Sequence, residues 1–210
     1  MKSEKELTGQ QSLLIIQQMI HTAKQEQKDD GTGWIIWGWM LFAASVFTVI
    51  NLHLNWVHTY FFWNIFGALS IVLLIVSVIR NFATKNKAGV KTYTKEVFQK
   101  LNIGFTITLL LNIVAINVGA GPTIGFALLT ALYGFWILVY GALLNFKPSI
   151  IGAYITWALA LAAMFAPNFE GVMIIHAAAV LIGYIIPGHI AYKKFRHETG
   201  RKSHNQQGNV

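Results

Sequence analysis

Six runs of apolar residues occupy the chain from residue 34 to residue 192, each close to the roughly 20 residues that an α-helix needs to cross a bilayer. They cover about 34–52, 60–80, 100–118, 122–144, 149–166 and 171–192. None alternates apolar with polar residues as a membrane β-strand does over about ten positions, so the pattern predicts helices. Three connections, "HLNWVHTY", "GAGPT" and "APNFEG", are short enough to join neighbouring spans directly. The expected architecture is therefore an all-α integral membrane protein of six transmembrane helices arranged as three antiparallel hairpins. Pro122 and Pro148 stand at or near the first turn of the fourth and fifth spans, where a missing N–H is harmless, and Pro167 follows the fifth.

Ahead of the first span, residues 1–33 have a different rhythm. Ser3 and Glu6 fit a capping box, and Leu13, Ile16, Met19, Ile20 and Ala23 fall on one broad helical face. This predicts an amphipathic helix on the inner membrane surface, free to dock under the bundle, lie among headgroups or meet a partner. The run "KQEQKDDGTG" ends it at Gly31 and Gly33. The segment lacks the n-region, h-region and cleavage site of a signal peptide, so the first span is expected to stay in the mature protein.

Charge adds an orientation to this pattern. Only 11% of the 210 residues are charged, against about 25% in an ordinary soluble domain, and the chain cannot cover a water-facing surface. All sixteen Lys and Arg lie before the first span, between the second and third, between the fourth and fifth, or after the sixth. Six of them are in "RNFATKNKAGVKTYTKEVFQK", residues 80–100. The positive-inside rule then places both termini and the basic loop 81–99 in the cytoplasm of a bacterial inner membrane. Residues 193–210 form a basic cytoplasmic tail expected to be disordered. The net charge of +8 is explained by attraction to anionic lipid headgroups, without nucleic acid.

Several recurring residues have a packing explanation. Ala120, Ala127, Gly134 and Gly141 repeat every seven positions in the fourth span, where small side chains let helix backbones approach closely in lipid. That makes the fourth span the expected centre of the bundle. Pro187, flanked by Gly183 and Gly188, predicts a kink near the end of the sixth. Trp34, Trp37, Trp39, Trp56, Tyr60 and Trp63 read as interfacial belts.

Candidate chemistry is sparse. The spans hold almost nothing ionisable, which argues against an ion-driven pump. No P-loop, dinucleotide-binding glycine motif, nucleophile elbow or Ser-His-Asp set occurs, and without cysteine there is no disulfide or thiolate site. Thr108, Asn112, Tyr140 and Tyr184 could line a polar cavity between spans three, four and six, although interhelical hydrogen bonds also account for such residues. On the outer side, His53, His58, Glu170 and His176 form a donor set suited to zinc or another divalent ion, or to a pH-sensitive element. Their spacing matches no metal motif, and His176 alone reads as a hydrogen-bonded bundle residue. Haem ligation by His176 with His189 is disfavoured because they fall on different helix faces, and no cofactor is expected.

"WIIWGWMLFAAS" after the amphipathic head, with "YGALLNFKP" and "GYIIPGHIAYKKF" further on, resembles the layout of a group of small bacterial inner-membrane proteins of unknown function. The resemblance implies fold and location and carries over no functional residue. The resulting expectation is a non-enzymatic membrane protein that acts by self-association or as an accessory subunit for a membrane or cytoplasmic partner. Two others stand beside it, a small-molecule transporter or channel built on the polar cavity, and a metal-binding protein built on the outer-face histidines.

Overall fold

A computed structural model describes residues 31–84 and 93–207, and every regular element among them is helical. The expected amphipathic helix with its Ser3–Glu6 box lies outside the described residues, as does the middle of the basic loop. Helix α1 is Thr32–Leu54, α2 is Phe61–Thr84, and α3 is Tyr93–Ala115 with a widened turn at Ile116–Ala120. Helix α4 is Pro122–Leu143 and α5 is Lys147–Met164. Helix α6 is Phe169–Val180, and it runs through a π-helical turn, Leu181–Ile185, into α7, Ile186–Gln207. Five stretches are long and apolar enough to cross a membrane: Thr32–Leu54, Val97–Gly119, Pro122–Leu143, Lys147–Met164 and Phe169–His197. Helix α2, at 24 residues, has the length of a sixth and an apolar first half.

Local chemistry sets the ends. Helix α1 stops at Asn55, which takes the left-handed conformation that Asn tolerates better than most residues (φ 51°) and donates its N–H to Asn51 O. The Asn51 side chain then clasps the connection from both sides, donating to Val57 O at 2.8 Å and accepting from Val57 N–H at 2.9 Å. Pro122 and Pro148 occupy first-turn positions of α4 and α5. Asn168 caps α6, its Oδ1 accepting from Gly171 N–H at 2.9 Å.

Two helices outrun their apolar runs. Helix α3 begins at Tyr93 rather than near residue 100, and α7 continues through Gln207, so residues 193–207 of the tail expected to be disordered are helix. Hydropathy marks where a helix enters lipid, whereas Lys, Glu, Gln and Arg are good helix formers that let it continue into water.

Helices α1, α4, α5 and α6 enclose the core. Helix α4 supplies ten buried residues, and Phe126, Thr130, Tyr133, Ile137 and Tyr140 follow one another along a single face at helical spacing. Ala127, Gly134 and Gly141 are buried as well, and a Cβ at position 134 would lie only 2.6 Å from Trp157 Cδ1. Where α5 crosses the π turn, a Cβ at Gly183 would be 2.6 Å from Thr156 Oγ1. Such gaps let backbones approach in a solvent that gives apolar association little driving force. Pro187 is buried just beyond the π turn, in the first turn of α7.

By contrast, α2 and α3 are peripheral. Among the described residues, the backbone of α2 comes close only to α1, that of α3 only to α4 and its own widened turn, and the two do not meet. The tryptophans divide in the same way. Trp39 and Trp56 are exposed at the surface, but Trp34 is buried and Trp63 turns toward the core. Position along a helix sets depth in the membrane and leaves direction to packing, so Trp34 and Trp63 serve the core.

Candidate functional site

His176 lies about two turns beyond the Asn168 cap, on the face that α6 turns toward α4, and is fully buried. Its Nδ1 is 2.7 Å from Thr130 Oγ1, which is also 2.8 Å from Phe126 O in the preceding turn of α4. A hydroxyl has one proton, and a carbonyl only accepts. Both contacts are satisfied together when Thr130 donates to Phe126 O and accepts from a protonated Nδ1. The imidazole then directs an unprotonated Nε2 with its lone pair the other way.

Aromatic rings fill that side. The ring centroids of Trp63, Tyr133 and Phe126 lie 5.5, 5.7 and 6.4 Å from that of His176. His176 Nε2 and Trp63 Nε1 are both buried without a hydrogen-bond partner, and they are the two such side-chain atoms among the described residues. One is an acceptor and the other a donor. Toward the connections, Phe169 packs on Phe126 and Tyr60, with centroids 5.4 and 5.9 Å apart, and covers the site. Beyond it His53 Nε2 meets Glu170 Oε1 at 2.9 Å, tying the end of α1 to the start of α6. Away from the connections the rings continue from Tyr133 to Tyr184, Trp34 and Tyr140, at 5.9, 4.6 and 4.2 Å in turn. The result is an aromatic column through the bundle with a polar break at His176.

The four outer-face donors are divided. His53 and Glu170 pair, His58 turns back to accept from Tyr60 N–H at 3.4 Å, and His176 is below the aromatic cover. Among the described residues no three His, Cys, Asp or Glu come together closely enough to hold a metal ion. The polar-cavity set divides too. Tyr140 and Tyr184 both contact Trp34, while Thr108 is exposed and bonded to Gly104 O of its own helix. Asn112 makes a long contact of 3.5 Å from Nδ2 to Gly125 O between α3 and α4.

Sequence reasoning passed over Thr130, Trp63 and Phe126 as site residues. The spacing of Phe126, Thr130 and Tyr133 marks a shared face, which was readable; nothing in the sequence aligned that face with position 176. No protein-family model, curated protein or solved structure matches the chain. The site therefore has to be interpreted from its own geometry.

Proposed function

We propose that this chain is a non-enzymatic inner-membrane protein that acts by association, with itself or with a membrane or cytoplasmic partner, through the edge formed by α3. In this reading its six spans form three antiparallel hairpins, with both termini and the basic loop on the cytoplasmic side against anionic headgroups. The observation that carries it is that, among the described residues, the backbone of α3 comes close to that of one other helix, α4. Phe98 and Phe105 anchor it through the Trp136 ring of α4, at 5.3 and 4.8 Å. Its outer side presents Ile103, Ile107, Leu110, Leu111 and Val114 as one stripe at helical spacing. In lipid such a stripe gains little from hydrophobic transfer, and a second helix has to hold it by close packing.

Because the chain has no cysteine, single-cysteine variants give clean contacts. Oxidative cross-linking in native membranes should join Ile107→Cys or Leu111→Cys protein to a second chain. Ile36→Cys, equally exposed on α1, should remain single. If neither α3 position cross-links, the association reading fails.

A further inference from the structure

The polar break at His176 makes a demand that the protein alone does not meet. A buried nitrogen lone pair and a buried indole N–H, each left unpaired, have given up water without gaining a partner. The two belong to rings 5.5 Å apart with planes inclined at 66°, and they are not bonded to each other. Their chemistry is complementary to a third group that accepts one hydrogen bond and donates another. A carbonyl or ether accepts only and an ammonium donates only, whereas a hydroxyl does both.

We propose that His176 and Trp63 form a binding site for one hydroxyl group, which accepts from Trp63 Nε1–H and donates to His176 Nε2. Thr130 is a positioning residue, since its bond to Nδ1 fixes the tautomer that leaves Nε2 free to accept. The surrounding Phe126, Tyr133 and Phe169 exclude bulk solvent and restrict the guest to a single polar group with an apolar surround. Water and the hydroxyl of a lipid-soluble molecule share this chemistry. The site is independent of the α3 edge and is tested separately from it.

The test is nitrogen NMR on the full chain in lipid nanodiscs, with 15N in His and Trp and assignment through the backbone. The expected result is a His176 protonated at Nδ1, an Nε2 resonance displaced from the free-lone-pair position toward the hydrogen-bonded one, and a Trp63 indole proton shifted in the same sense. Cross-relaxation from the water line to Trp63 Hε1 identifies water. A hydroxyl compound found by mass spectrometry in organic extracts at one per chain, and lost from Trp63→Phe protein, identifies a ligand. A free-lone-pair shift at Nε2, or protonation there, overturns the proposal. So does a through-bond coupling between Trp63 Nε1 and His176 Nε2, which would show the rings bonded directly. The wild-type spectrum decides these outcomes even if Trp63→Phe does not fold. Thr130→Val should mix the two tautomers, and Thr130→Ser should restore the single one.

Discussion

Thr130 satisfies two buried groups with one hydroxyl, so its removal should be felt beyond its size. Thr130→Val keeps the shape and leaves His176 Nδ1 without its partner, which predicts a loss of about 1–3 kcal/mol in reversible unfolding from bicelles, most of it recovered by Thr130→Ser. The His53–Glu170 contact invites a larger claim than it can support. The two side chains are 64% and 34% exposed, and pairs in that setting contribute about 0–1 kcal/mol. Glu170→Gln should accordingly shift unfolding by less than about 1 kcal/mol, and by less still in high salt. Here the sequence was informative about residue type and silent about direction. His176 was legible as a buried bundle histidine, because a lone imidazole within an apolar span has to find a partner. The described residues do not bring it together with His53, His58 and Glu170, since depth along the chain does not reveal which residues an aromatic cover separates.

Helix α4 illustrates what periodicity can and cannot determine. Its seven-residue spacing of small side chains marks close contact, and the structure gives the two glycine steps a neighbour: Trp157 at Gly134, and Ile150 with Ser149 at Gly141. Replacing Gly134 by Ala forces a Cβ onto the Trp157 ring, whose indole N–H is already fixed by Ala131 O at 2.9 Å. The ring cannot yield freely, and overpacking of this kind costs about 1–3 kcal/mol. Gly104→Ala is the contrast, because a Cβ there meets nothing within 4 Å and α3 should gain slightly in helix propensity. Thermal denaturation of the two variants side by side would separate packing from propensity. That the apolar runs fold as helices, at least five of them long and apolar enough to cross a membrane, was legible from hydropathy, since lipid leaves the backbone few alternatives to helix. Their ends were not, because "YTKEVFQK" and "KKFRHETGRK" are polar and helix-forming at once.

The molecule combines a dense four-helix centre with two lightly held helices, and its basic residues are segregated by connection. The topology proposed from that segregation predicts that His58→Cys is modified by a membrane-impermeant thiol reagent from the outer side only, and Lys193→Cys from the cytoplasmic side only. Labelling of both from one side would require an even number of spans between them and would overturn the six-span arrangement. The continuous helix from Phe169 to Gln207 has one more structural consequence. At Leu181–Ile185 it adopts a π turn, with Ile186 N–H bonded to Leu181 O five residues back, and this accommodates one residue more than an α-helical ladder would. Each residue advances an α-helix by about 100°. The extra residue therefore acts as a phase correction, so that His176 above it and Gly188 below it both face the bundle. Deleting Ile182 alone would restore an unbroken α ladder and rotate everything beyond it by about a quarter turn, carrying Gly188 away from Trp34 and Ile35 while leaving composition and hydropathy almost unchanged.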